Sequence, residues 1–140
     1  MRYKFGDYII SDERSLLVPE KIEFLLKQTT WAKDRPMEII KKTMDTSLYI
    51  GAYTEDYQML GFARCITDYA VFYYLCDVIV DEPYRGRGLG KALVEAVCNH
   101  EDLKTLSSIL ITRDAQGLYS RYGWETPDIT FMRRVPPKVE

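Results

Sequence analysis

The segment that most constrains the fold is residues 71–80, which read VFYYLCDVIV. Asp77 is the only charged residue in this run, and β-branched and aromatic residues dominate the rest. Runs of this kind are typical of strands that are covered on both faces. The segment therefore predicts a central strand between two layers, in which the Asp77 carboxylate must be paired or have a raised pKa.

The elements around this strand predict how the sheet is connected. A glycine-rich loop follows it, then a helical pattern from about Leu89, then a second apolar strand at 108–112. A strand, a helix and a buried strand in this order indicate a parallel crossover. Upstream, residues 48–53 and 60–66 flank the polar turn TEDYQ and predict an antiparallel hairpin. The chain is thus predicted to be α/β (α+β), with a mixed, mostly antiparallel central sheet, a parallel crossover and helices on both faces.

Other local patterns complete the predicted elements. They are a first strand at Tyr8–Ile10, a helix from Pro19 to about Trp31, a short helix from Pro36, another in QGLYSRYG closed by Gly123, and a last strand at Ile129–Val135. No repeat, linker or low-complexity segment divides the 140 residues, so one domain over 1–140 is expected.

Composition restricts the class of protein. Hydrophobic residues make up 46% and charged residues 29%, which is ordinary for a globular chain. The net charge of −2 provides no broad basic field, so nucleic acid is not an expected partner. The sequence has no apolar run of membrane-spanning length, and charges interrupt its N-terminal segment, so a soluble cytoplasmic protein without a membrane partner is expected. Cys65, Cys76 and Cys98 lack metal-site spacing, which favours reduced, buried thiols and no metal.

The segment YRGRGLGKAL at 84–93 is the main candidate for ligand binding. The first N–H groups of a helix have no intrahelical partners, and alternating glycines let a loop fold around an anion. Arginines add charge-assisted contacts. The segment therefore predicts a phosphate or pyrophosphate ligand, with a solvated surface turn as the alternative. It does not match a P-loop, because Ala92 follows Lys91, and its glycine spacing does not match the dinucleotide fingerprint.

Two motifs together resemble the GCN5-related N-acetyltransferase (GNAT) superfamily. RGRGLG matches its acetyl-CoA loop, Arg/Gln-x-x-Gly-x-Gly/Ala. TRDAQGLYSRYGW resembles its second signature, Ala-x-x-Leu-Tyr-x-x-x-Gly-Phe/Trp, at Ala115, Leu118, Tyr119, Gly123 and Trp124. The order and spacing agree over about residues 48–124. Thr112 stands where many members of the family carry Asn.

The resemblance implies a GNAT-like fold, acetyl-CoA as co-substrate and a set of cofactor contacts. The pyrophosphate is expected on the loop residues Arg85, Gly86, Arg87, Gly88, Leu89, Gly90 and Lys91. The pantetheine arm is expected beside the backbone of Val78, Ile79 and Val80. Tyr119 is similar to the family's general acid, since a phenol near pKa 10 can protonate a leaving thiolate. The alternative for Tyr119 is a packing role.

Asp77 has two open roles, general base or structural carboxylate. In a regular strand, Leu75, Asp77 and Ile79 would share one face. Candidate contacts to the acceptor are Trp31, Arg35, Arg64 and Tyr73, of which Arg64 is the candidate for an acceptor carboxylate. Core packing and a solvated turn are the alternatives for these residues.

The implied activity is transfer of the acetyl group of acetyl-CoA to a primary amine, either a small molecule or a peptide, by direct attack in a ternary complex. The alternatives are a non-catalytic CoA-binding regulatory module and a protein that binds a different phosphate ligand, such as a nucleotide. The sequence leaves a homodimer open.

Overall fold

Six strands form one sheet in the order β1-β2-β3-β4-β5-β6. The computed structural model describes residues 1–138 of the chain. The strands are β1 (Arg2–Phe5), β2 (Tyr8–Ser11), β3 (Leu48–Tyr53), β4 (Met59–Thr67), β5 (Phe72–Val80) and β6 (Ser107–Leu110). The helices are α1 (Pro19–Leu26), α2 (Met37–Thr46), α3 (Leu89–Asn99) and α4 (Gln116–Ser120). All neighbouring strands are antiparallel except β5 and β6, which are parallel and joined through α3. The predicted fold class is therefore confirmed.

The two faces of the sheet are covered by different helices. Leu93 and Val97 of α3 are fully buried in the core on one face. Ile22 and Leu25 of α1 and Ile40 of α2 are buried in the core on the other face. The apolar spacing in each helix forms one buried stripe, which is why the helices lie flat on the sheet. None of the helices in the described part of the chain has the length and apolarity needed to cross a membrane.

A β-bulge in the central strand changes which residues share a face. Arg64 of β4 pairs with Asp77 and Cys65 pairs with Leu75, so Cys76 is an extra residue on β5. Leu75 consequently belongs to the core under α3, whereas Ile79 belongs to the core under α1 and α2. The expectation that Leu75, Asp77 and Ile79 share one face is wrong, because the bulge shifts the alternation by one residue.

The bulge coincides with the point where the sheet opens. β5 pairs with β6 only as far as Leu75, which lies opposite Leu110. Beyond Leu75, β5 continues to Val80 with β4 on one side. One edge of its second half therefore lacks a neighbouring strand among residues 1–138, and its backbone groups are available to another extended chain.

Several predicted boundaries differ from the structure. α1 ends at Leu26 rather than near Trp31. The Thr29 hydroxyl donates to the Leu26 carbonyl at 2.7 Å and accepts the Ala32 N–H at 3.0 Å. These side-chain bonds replace the helical ones and turn the chain out of the helix.

One strand was missed and one predicted strand is absent. β1 pairs with β2 but is exposed at every residue, so it shows no alternation that could predict it. The predicted last strand, Ile129–Val135, is wrong. Residues 125–138 form no helix or strand and are exposed throughout.

Candidate active site

The glycine loop presents free backbone donors at the start of α3. Gly86 and Gly88 have φ values of +79° and +83°, in the left-handed region that glycine tolerates. Gly88 is the N-cap of α3, and no side chain of the described residues caps this helix. The N–H groups of its first turn are therefore available to an anion, as the sequence predicts.

The two arginines of the loop have different roles. The Arg85 Nε donates to the Val80 carbonyl at 2.9 Å, which ties the loop to the end of β5. Arg87 is exposed, and its Nη1 donates to the Tyr8 hydroxyl at 2.9 Å. Its guanidinium also lies 5.1 Å from the centre of the Tyr84 ring. Arg85 thus stabilises the loop, while Arg87 is held at the surface with further N–H donors for a ligand.

Sequence reasoning missed three residues that support this loop. Tyr8 and Phe5 come from the N-terminal hairpin, and a Cβ placed at Gly88 would lie 3.4 Å from the Phe5 ring. Gln28 follows α1, donates to the Asp81 carboxylate at 2.8 Å and accepts the Glu82 N–H at 3.0 Å. These contacts join segments more than 50 positions apart, so no local pattern could reveal them.

Tyr119 lies on the α3 side of the sheet, like Val78 and Val80. All three pack against the core under α3. The Tyr119 ring makes an edge contact with Trp124, with centres 6.3 Å apart. Burial raises the pKa of Tyr119, so its hydroxyl is protonated at neutral pH. A protonated phenol is a proton donor, which is what a general acid requires.

The Asp77 carboxylate lies on the opposite face, within a cluster of three donors. Its Oδ2 accepts hydrogen bonds from Arg64 Nε at 2.7 Å and from Arg35 Nη1 at 3.0 Å. Its Oδ1 accepts the Trp31 indole N–H at 2.8 Å. Asp77 is 2% exposed, and Arg64 is also buried.

The electrostatics of this cluster keep Asp77 ionised. Burial alone would raise the pKa of Asp77, but the charge and hydrogen bond of Arg64, the Trp31 hydrogen bond and the Arg35 charge together outweigh burial. The pKa of Asp77 consequently lies below its ordinary value. An ionised carboxylate that accepts hydrogen bonds from three donors is a poor proton acceptor. Of the two roles predicted for Asp77, general base and structural carboxylate, the geometry therefore supports the structural one.

The structure brings together three of the four predicted acceptor residues. Trp31 and Arg35 from the α1–α2 connection converge with Arg64 on Asp77. Arg64 is further occupied by the Ser47 hydroxyl at 2.9 Å, a contact that sequence reasoning missed. Tyr73 lies elsewhere, in the core under α3, with its ring 6.0 Å from that of Trp124. Within residues 1–138, no group of three His, Cys, Asp or Glu side chains is arranged to hold a metal ion.

Comparisons with known proteins agree with this fold. A family model described as an acetyltransferase (GNAT) domain matches residues 45–126, more than half of the chain. A GNAT family protein from Xanthomonas campestris of known crystal structure is 41% identical, with a TM-score of 0.86 over 95% of this chain and 96% of that one. The protein named uncharacterized N-acetyltransferase ycf52-like from Prochlorococcus marinus is 31% identical over 84% of this chain and 67% of its own length.

A more distant structure shares the fold alone. An aminoglycoside N-acetyltransferase in complex with CoA is 20% identical, with a TM-score of 0.65 over 92% of this chain and 93% of that one. Taken together, the matched domain and relatives place the chain in the GNAT acetyltransferase family.

Proposed function

We propose that this chain transfers the acetyl group of acetyl-CoA to a primary amine, a small molecule or a peptide, by direct attack in a ternary complex. The observation that carries the proposal is that the glycine loop, with the uncapped start of α3, adjoins the open edge of β5. The free N–H groups of the loop suit a pyrophosphate, and the open strand edge suits the amide-containing pantetheine arm of the same molecule.

The glycine loop and strand β5 would each bind a different part of acetyl-CoA. The N–H groups from Gly86 to Lys91 and the Arg87 side chain would hold the pyrophosphate. The backbone from Val78 to Val80 would pair with the pantetheine arm. The bound CoA of the aminoglycoside acetyltransferase supports this choice of ligand, because that protein shares the fold.

Tyr119 would act at the leaving group. Acetyl-CoA supplies a thioester, whose carbonyl carbon is attacked by the acceptor nitrogen. The C–S bond breaks as the C–N bond forms, and the Tyr119 hydroxyl donates its proton to the departing sulfur. The phenolate regains a proton from solvent, and the nitrogen of the new amide loses its extra proton. The raised pKa of Tyr119 supports this role, because it keeps the donor protonated before each turnover.

The Asp77 cluster would form one wall of the acceptor site. Trp31 is 58% exposed although its indole N–H donates to the Asp77 carboxylate, so an exposed aromatic side chain is held in place. Two arginines around one carboxylate leave the cluster with a net positive charge. We therefore propose that Asp77 positions Trp31 and Arg35. The pH–rate profile of Asp77→Asn distinguishes this role from that of a general base.

Ligand-dependent stability tests the cofactor. Acetyl-CoA or CoA at 100 times its Kd is expected to stabilise the protein by about 2.7 kcal/mol, seen as a Tm increase of several degrees. ATP carries a similar adenosine polyphosphate but no pantetheine, so it should shift the Tm much less. Stabilisation by ATP and not by CoA would overturn the proposal.

Turnover tests the reaction. Release of free CoA thiol from acetyl-CoA, measured across a panel of small amines and peptides, is expected to rise with at least one acceptor. Tight CoA binding without thiol release from any acceptor would instead support the regulatory module.

The Tyr8–Arg87 contact allows a separate test of the loop. Tyr8→Phe removes one hydrogen bond that orients Arg87, so the KM for acetyl-CoA is expected to rise roughly 2- to 10-fold, with kcat unchanged. Steady-state kinetics at varied acetyl-CoA would measure this. Tyr57→Phe is a matched control, because the Tyr57 hydroxyl accepts from Arg2 at the same 2.9 Å and Tyr57 is not part of the loop. Equal effects of the two substitutions would contradict the assignment of Arg87.

A further inference from the structure

Two arginines share one carboxylate in the Asp77 cluster. Arg64 Nε and Arg35 Nη1 both donate to Asp77 Oδ2, at 2.7 and 3.0 Å. With Asp77 ionised, two positive charges face one negative charge, and one positive charge has no partner in the cluster. Arg64 is only 7% exposed, and a charge buried so deeply is costly unless it is paired. The cluster therefore favours one further anionic group.

Both guanidinium groups keep N–H donors for such a group. Arg64 Nη1 donates to the Ser47 hydroxyl, but Arg64 Nη2 and the Nε and Nη2 of Arg35 have no hydrogen-bond partner among residues 1–138. Tyr53 Oη is the one fully buried side-chain polar atom without a partner in this part of the chain, so Arg64 Nη2 must reach solvent. A guanidinium edge with unused N–H groups matches the two oxygens of a carboxylate.

A small cavity adjoins the cluster. Its volume is about 250 Å³, and residues 30–35 line it, including Trp31 and Arg35. Most ligand pockets have roughly 300–1,000 Å³, so this cavity suits a small molecule. Lys33 and Asp34 also line it, but both are exposed and their opposite charges cancel. The unbalanced charge of this wall is consequently that of the two arginines around Asp77.

We infer that the acceptor is a small amine that also carries a carboxylate, and that Arg35 and Arg64 bind this carboxylate beside Asp77. The inference rests on the proposed acetyl transfer. A single negative charge makes the cluster neutral, whereas a phosphate dianion would leave it negative and a second amine would add to its positive charge. Asp77 directly precedes Val78, where the backbone proposed to pair with the pantetheine arm begins. Because the carboxylate is the group that is bound, the amine stays free to attack the thioester.

Matched acceptors test the inference. Thiol release would be compared between α-, β- and γ-amino acids and their primary amides, which keep the amine and the skeleton but lose the negative charge. For the best amino acid, kcat/KM is expected to exceed that of its amide roughly 10- to 100-fold, the usual range for a charged hydrogen bond. The amide has the less basic amine, because it lacks the carboxylate, so basicity works against this result. Phosphoethanolamine and the diamine putrescine are expected to be poorer acceptors than that amino acid.

The variant Arg35→Gln tests the arginine that lines the cavity. It is expected to reduce the preference for the amino acid over its amide by about 10-fold, because one of the two charges is removed. Arg14→Gln is the matched control, since Arg14 pairs with one carboxylate, Asp45, at 3.5 Å and lies outside the cluster. It should keep the preference. The CoA-dependent Tm shift shows whether each variant is folded.

Calorimetry separates failure of this inference from failure of the proposed function. With CoA-saturated protein, the amino acid is expected to bind at least about 10-fold more tightly than its amide, whether or not thiol is released. Equal kcat/KM or equal binding of acid and amide overturns the inference. So does a preference for phosphoethanolamine or putrescine, or an unchanged preference in Arg35→Gln. Carboxylate-dependent binding without thiol release from any acceptor would overturn acetyl transfer and support the carboxylate site.

Discussion

Asp77→Asn is expected to lower the free energy of unfolding by about 3–5 kcal/mol, the typical cost of removing one partner from a buried ion pair. The substitution keeps the shape of the side chain but removes the charge that neutralises Arg64 and Arg35. Arg64 is buried, so its guanidinium cannot turn to water without moving the strand. Urea denaturation would measure the loss. Asp34→Asn, the same change at an exposed position of the α1–α2 connection, is expected to cost little.

The pH dependence gives an independent readout of Asp77. Its pKa in the folded protein is depressed, so its contribution to stability is present above the pKa of the unfolded chain, about 4, and is lost as pH falls through the folded pKa. The Asn variant should lack this part of the acid dependence. A loss of stability below about 1 kcal/mol, with unchanged acid dependence, would contradict a structural ion pair.

The same variant separates the two roles of Asp77 in catalysis. If Asp77 positions Trp31 and Arg35, the pH–rate profile of Asp77→Asn keeps its shape while activity falls. If Asp77 is the general base, the variant loses the ionisation that controls the acid limb of the profile. The pH–rate profile is informative even where the protein is destabilised, provided that it is measured below the Tm of the variant.

Tyr119→Phe is expected to lower kcat about 10²- to 10⁴-fold, the usual contribution of a general acid, with little change in affinity for acetyl-CoA. The substitution removes only the hydroxyl, so the contacts of the ring with Trp124 and the core are kept. Because burial raises the pKa of Tyr119, the wild-type rate should decline only at alkaline pH, as the phenol ionises. The variant should lack that decline.

A matched control separates the hydroxyl from the turn that carries it. Tyr122→Phe removes a hydroxyl three residues further along, in the turn that follows α4. It is expected to leave kcat within a factor of about two. Turnover of Tyr119→Phe equal to that of wild type at every pH would remove Tyr119 from the mechanism and leave it a packing residue.

Local sequence patterns predicted most of the sheet. The apolar run of β5, the hairpin of β3 and β4 and the crossover through α3 each have a signal within a few residues of the element itself. The predictions were wrong for elements whose position or end does not depend on the apolar pattern of their own residues. α1 ends early because the Thr29 side chain bonds to the last turn of the helix, and β1 is exposed at every residue. Apolar spacing therefore predicts neither the end of α1 nor the presence of β1.

The glycine loop and the two GNAT motifs were readable from the sequence alone, because backbone conformation and short motifs are encoded by neighbouring residues. The tertiary structure decided how distant residues combine. One extra residue at Cys76 turns Asp77 away from Leu75 and toward the α1–α2 connection, where Trp31 and Arg35 meet it. Tyr8 reaches Arg87 across 79 positions in the same way. Such contacts depend on strand register and on the packing of whole elements, and no periodicity within a single segment contains that information.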